Sequence, residues 1–133
     1  MDTMATITKE LALQLLAAAK EGRSYSYSPY SNFPVGAAVL CKDGTIVIGC
    51  NIENVSYGMT NCAEQTAIFK AVSEGHREFS AIAVVADTQG PCRPCGACRQ
   101  VLSEFNIPYV LMGNLNDYYE VMTVDELLPY SFT

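Results

Sequence analysis

Positive charge is scarce in this chain of 133 residues. Eight Lys and Arg stand against fourteen Asp and Glu, a formal net charge of -6. A nucleic-acid binder carries a basic face, and this balance offers little to build one beyond a local patch. Long apolar runs are also missing: no stretch approaches the ~18 residues of a membrane span. Leu11 to Ala19 comes nearest to a signal-peptide core, but Gln14 interrupts it and Asp2 and Glu10 offset Lys9. It reads instead as the amphipathic first helix of a cytosolic protein. Repeats, linkers and low-complexity segments are lacking too, so residues 1–133 read as one domain. Histidine is nearly absent. The single one, His76, follows a helix stop at Gly75 and is expected to be solvent-exposed rather than a ligand.

Cysteine is present, but thinly for a disulfide scaffold. Six in 133 residues fall well under the roughly 8–10% of such folds, and Cys92, Cys95 and Cys98 crowd into one short stretch. Metal-bound thiolates in a reducing compartment fit this pattern better than a secreted framework. Cys41 and Cys50 each end an apolar run and read as small buried hydrophobes.

Half the residues are apolar, enough for a sizeable core. Thr8 can cap a helix running to about Lys20, with Gly22 ending it. A polar, tyrosine-rich loop follows from Ser24 to Asn32. Phe33 to Cys41 reads as a strand, Asp43-Gly44 as its hairpin turn, and Thr45 to Cys50 as the antiparallel return. After a second polar loop, Asn51 to Gly58, helical spacing runs from Cys62 to Glu74 with Gly75 as its stop. Phe79 to Ala86 and Ile107 to Met112 read as strands buried on both faces. A short helix between them shows Cys98, Val101, Leu102 and Phe105 on one face. Tyr118 to Met122 is a last strand, and Thr123 and Glu126 form a capping box for a final turn. The order α-β-β-α-β-α-β-β implies an α/β layered fold with a mixed sheet.

The chemistry gathers at two helix starts. Cys95 and Cys98, three apart, place their sulfurs on one side of a first helical turn. The helix N-terminus there favours thiolate, the form that binds metal. Two patterns of the type P-C-x-x-C overlap, from Pro91 and from Pro94. The second is favoured, because Pro94 suits a helix start while the first reading puts that proline between two ligands. Cys92 is then a packed neighbour. Cys62 is the candidate third ligand, with Glu64 two residues on and able to point into the adjacent pocket. Three protein ligands and an open position mark a catalytic rather than a structural zinc. An iron–sulfur cluster fails on spacing, since the run beginning at Cys92 needs a further cysteine before a proline, and positions 102 and 103 are Leu and Ser.

At these residues the sequence resembles the small homotetrameric zinc-dependent cytidine deaminases. Cys62-Ala63-Glu64 and Pro94-Cys95-Gly96-Ala97-Cys98-Arg99-Gln100 carry the likeness, the three-cysteine form of a known signature. The segments 28–38, 51–58 and 127–132 look like family segments as well. The resemblance implies a three-layer α/β/α fold with a five-stranded mixed sheet. It also implies one Zn²⁺ per subunit on Cys62, Cys95 and Cys98, and Glu64 as the proton carrier that turns cytidine and deoxycytidine into uridine and deoxyuridine. It makes Phe33 the aromatic packed on the pyrimidine, and Asn51 and Glu53 the partners of the ribose 3′-hydroxyl. The main chain of Ala63 would contact the base edge. Val55 and Tyr57 would reach a neighbouring subunit's 5′-hydroxyl, and Phe132 would close a neighbouring site. One position departs from the pattern: the residue after the glutamate is often Arg in the three-cysteine family, and here it is Gln65. Three thiolates with Zn²⁺ carry net negative charge, so this zinc is expected to be a weaker Lewis acid, with Gln65 still bonded to a ligand sulfur.

Two other readings compete with a cytoplasmic, free-nucleoside enzyme that takes neither nucleic acid nor membrane as partner. A polynucleotide-editing relative would keep the fold, but the acidic composition and the sugar-hydroxyl loop count against it. A non-catalytic zinc-stabilised module would make Glu64 a mere helix-start acid. Zinc content measured together with turnover separates them.

Overall fold

The computed structural model describes residues 7–92 and 94–127. Helix α1 (Lys9–Arg23) starts where Thr8 caps it, the Leu11 amide donating to Thr8 Oγ1 at 3.1 Å. Strands β1 (Val35–Cys41) and β2 (Ile46–Cys50) form the expected hairpin. Gly44 takes φ +96° at its turn, and the Thr45 amide donates to Asp43 Oδ1. A single 3-10 turn (Tyr57–Met59) interrupts the following loop, and α2 (Ala63–Ser73) begins immediately after Cys62. Then come β3 (Phe79–Ala86), α3 (Gly96–Glu104), β4 (Tyr109–Asn114), β5 (Tyr119–Thr123) and the one-turn α4 (Val124–Leu127). The capping box is present, with the Thr123 amide donating to Glu126 Oε1 and the Glu126 amide to Thr123 Oγ1.

The five strands make one sheet in the order β2-β1-β3-β4-β5. Only the β3–β4 pair is parallel, Ala81 facing Tyr109 and Ala86 facing Asn114, so the sheet is mixed as expected. Alternation along β1 and β3 sends side chains to two cores. Ala38, Leu40, Ala81, Ala83 and Val85 meet Ala12, Leu15, Leu16 and Ala19 of α1. Ala37, Val39, Ile82 and Val84 meet Ala67, Ile68 and Ala71 of α2 and Leu102 of α3 on the other face. This is the three-layer arrangement, and it explains why β3 has no polar face.

Strand ends shift by one or two residues, as at β1 and β4, and two further expectations, at Gly22 and His76, differ for a physical reason. Helix α1 does not stop at Gly22; that glycine is buried inside it. A Cβ there would lie 2.5 Å from the Gly49 carbonyl oxygen, so the missing side chain lets helix and strand touch. His76 is not fully exposed either. Gly75, at φ +102°, and His76 close α2 in a Schellman motif, their amides donating to Val72 O and Ala71 O. That turn tucks the imidazole toward the β1–β2 hairpin. Among the described residues no helix is long and apolar enough to cross a membrane.

Candidate active site

Helices α2 and α3 rise from the same side of the sheet, and their first residues converge. Cys62 is the N-cap of α2 and Cys95 the N-cap of α3, while Cys98 sits in the first turn of α3. The Cys98 amide donates to Cys95 Sγ at 3.4 Å. The Cys62 and Cys95 sulfurs stand 3.6 Å apart and those of Cys95 and Cys98 3.2 Å apart. All three sulfurs lie within 4.8 Å of one another, and Cys92 is outside the group.

Electrostatics favour a bound cation. The Cys62 thiol is pulled down to about 6, chiefly by thiol donation from Cys98 and then from Cys95, against burial. Its neighbour Cys98 is pushed up by that same proton sharing and by burial, so of these two thiols Cys62 releases its proton readily and Cys98 holds its own. Two helix N-termini point at the cluster and add positive potential. Sulfurs held ~2.3 Å from a tetrahedral Zn²⁺ stand ~3.8 Å apart. The observed spacing is close to that, and a three-thiol donor set suits the ion. Gln65 donates from Nε2 to Cys98 Sγ at 3.7 Å, the bond expected of it.

Glu64 follows Cys62 into the first turn of α2 and is only 4% exposed. Burial raises its carboxyl to about 7, with the charge of Cys62 adding to the rise and hydrogen bonds from its own amide and from Cys98 opposing it. Such a group accepts and returns a proton near neutral pH.

A cleft of about 330 Å³ opens onto this cluster. Phe33, Asn51, Glu53, Tyr57, Cys62, Ala63, Glu64 and Cys95 all line it. Cys98 lies behind, fully buried. Val55 does not line the cleft and is 82% exposed, whereas Tyr57 stands at this chain's own cleft. Phe132 lies outside the described residues. Asn51 also works as a brace: Nδ2 donates to Phe33 O at 3.0 Å, and Oδ1 accepts from the Val35 amide and from Ser26 Oγ. Glu53 accepts from the amides of Tyr30 and Ser31 and from Ser31 Oγ, which holds its carboxyl below the usual range. The two loops that read as separate polar stretches are therefore stitched into one wall.

Sequence reasoning missed several lining residues. Ser31, Thr60, Asn61, Val84 and Cys92 face the same cleft. Nothing in the local pattern marks Val84, which is one more apolar residue of a buried strand. Cys92 is 9% exposed, and burial pushes its thiol up to about 12, so it lines the cleft as an inert apolar surface.

The profile of the cytidine and deoxycytidylate deaminase zinc-binding region matches residues 9–114. A cytidine deaminase of Sporosarcina psychrophila is 58% identical over 123 residues, covering 90% of this chain and 90% of its own. One from Halalkalibacterium halodurans is 56% identical over 121 residues, covering 90% and 92%. The crystal structure of cytidine deaminase from Burkholderia pseudomallei superposes with a TM-score of 0.88 at 48% identity, over 95% of this chain and 100% of that one. The profile match runs from the first residue of α1 to the last of β4 and takes in all three clustered thiols, so the chain belongs to the cytidine and deoxycytidylate deaminase zinc-binding family.

Proposed function

We propose that this chain deaminates cytidine and deoxycytidine hydrolytically, releasing ammonia, and serves pyrimidine salvage in the cytoplasm as a homotetramer of single-domain subunits, residues 1–133. One observation carries the reading: a buried carboxyl near neutral pKa shares a cleft with three convergent thiols at two helix starts.

Cys62, Cys95 and Cys98 would hold one Zn²⁺ per subunit, which when bound supplies Lewis acidity and makes hydroxide available near neutral pH. Glu64 accepts a proton from water and delivers it to N3 of the pyrimidine. The hydroxide so formed adds to C4. Glu64 then takes the proton of the new hydroxyl and gives it to the amine as the C4–N bond breaks. Both protons of the water are thereby accounted for, one on N3 and one in ammonia. Phe33, 41% exposed at the cleft, offers the ring face for the base. The Ala63 main chain faces the base edge, and Asn51 and Glu53 suit a sugar 3′-hydroxyl.

Assembly explains the remaining residues. Val55, Tyr57 and Met59, close together in sequence, are 82%, 88% and 68% exposed. Exposed large apolar side chains grouped in this way are often covered by a partner, here a second subunit whose site receives Val55 and Phe132, with Tyr57 at the seam between that site and its own cleft. Six free cysteines suit a reducing cytoplasm. The test is ultraviolet monitoring of the purified protein with cytidine, deoxycytidine, cytosine and a short single-stranded oligonucleotide. Conversion of only the first two is expected. Turnover of the oligonucleotide would overturn the substrate assignment, and no turnover of any would overturn the enzyme.

A further inference from the structure

A second group of metal-ligating side chains lies at the other end of α2. Cys41 ends β1, Asp43 stands in the β1–β2 turn, and His76 follows the Schellman turn that closes α2. One ligand atom from each, Cys41 Sγ, a carboxylate oxygen of Asp43 and a ring nitrogen of His76, lies within 4.8 Å of the other two. His76 Nδ1 is 3.8 Å from Asp43 Oδ2. These three do not touch the thiol cluster of the cleft, and nothing in the reaction uses them.

The fold holds each ligand from its backbone. The β1–β3 register shifts between Leu40 and Cys41, and such irregularities re-aim side chains. Cys41 keeps its sulfur on the α2 face of the sheet, among Val39, Phe79 and Ala71. The Thr45 amide occupies Asp43 Oδ1 and leaves Oδ2 toward His76. The His76 amide is pinned to Ala71 O. The surroundings favour a cation as well: the C-terminus of α2 carries partial negative charge, and Glu74 and Glu78 flank the group in sequence. Two cations border the group: Arg77 spends its guanidinium on the carbonyls of Val72 and His76, and Lys42 lines the same surface. A shallow cleft of about 320 Å³, lined by Lys42, Asp43, Gly75, His76, Arg77 and Glu78, opens onto two of the three ligands, Asp43 and His76, with Cys41 buried beneath them.

We propose that Cys41, Asp43 and His76 form a second metal site for a borderline divalent cation of the zinc class, clamping the β1–β2 turn to the C-terminal end of α2. One sulfur, one nitrogen and one oxygen suit Zn²⁺ or Co²⁺ and not Mg²⁺ or Ca²⁺, which take oxygen alone. A tetrahedral centre with such ligands needs them ~3.2–3.8 Å apart, which side-chain rotation reaches from the observed spacing. On binding, the Cys41 S–H bond breaks, a sulfur–metal bond forms, and the proton passes to water.

Cadmium-113 NMR of the tag-free, metal-stripped protein tests this, because a three-sulfur site and a mixed sulfur–nitrogen–oxygen site resonate apart. Two resonances are expected on titration. In His76→Gln and in Asp43→Asn, both at the surface, the mixed-ligand signal alone is lost, with affinity for the second equivalent weakened about tenfold or more. The three-sulfur signal and turnover of cytidine stay as in the parent. A single resonance in the parent, or a second one indifferent to both substitutions, would overturn the site and leave an ion pair beside a buried thiol.

Discussion

Gly49 is where the fold and the chemistry are joined most tightly. It lies on β2 with no room for a side chain: a Cβ would stand 2.5 Å from Ala67 N, 2.8 Å from Ala63 O and 2.9 Å from Ala67 Cα. All three are backbone atoms of the first turns of α2, so no rotamer change relieves them. Ordinary contact begins near 3.4 Å, so Gly49→Ala must drive the start of α2 outward by about 0.9 Å, the 3.4 Å contact less the 2.5 Å observed. Overpacking of this kind costs about 1–3 kcal/mol, a fall of roughly 3–10 °C in Tm for a chain of this size. The same movement carries Cys62 and Glu64 away from Cys95 and Cys98. A misplacement near 1 Å can cost ~10²-fold in rate, so kcat is expected to fall far more than stability. Thermal unfolding, zinc content and kcat on cytidine, measured on one preparation, check this. Gly90→Ala, where a Cβ meets nothing within 4 Å, is the control and should leave all three unchanged. A Gly49→Ala protein with lowered Tm but parental kcat would refute the coupling, and one with parental Tm would refute the clash itself.

Glu64→Gln keeps shape and removes the proposed proton carrier; kcat should drop by about 10²–10⁴ while metal analysis still finds the zinc. Gln65→Arg places a cation beside Cys98 Sγ, where only an amide donor stands now. Kinetic pH profiles should show a lower acid limb and higher kcat, and a profile identical to the parent's would contradict the idea that this zinc is under-compensated. The depressed carboxyl of Glu53 stabilises the folded state above its unfolded pKa, and that contribution is lost as pH falls through the folded value. Denaturation of parent and Glu53→Gln should therefore differ at pH 7 and converge in acid.

How much of this was legible in the sequence depends on whether a signal is local. Thr8, Asp43-Gly44, Gly75 and the Thr123–Glu126 box act within a few residues, and each stands in the structure as its chemistry dictates. The nearly all-apolar run of β3 announced a strand covered on both faces. Gly22 misled because a glycine near a helix end has two uses, a stop or a close approach, and only the position of β2 decides between them. The fate of His76 was hidden for a related reason, since it depends on which turn the closing motif of α2 faces.

The site divides along the same line. Cys95 and Cys98 could be chosen from spacing because a helix start fixes both direction and electrostatics, whereas Cys62 and Glu64, on a second helix start, were joined to them by the family resemblance. Spacing could not reveal that Asn51 and Glu53 are committed to the backbone of the first loop. Those bonds give the two residues a second duty. Any substitution there loosens the wall that carries Phe33 as well as removing the proposed contact to the sugar. An Asn51→Ala variant therefore cannot report on sugar recognition alone: a rise in KM with kcat unchanged would mark the lost contact, while both moving together would mark the wall.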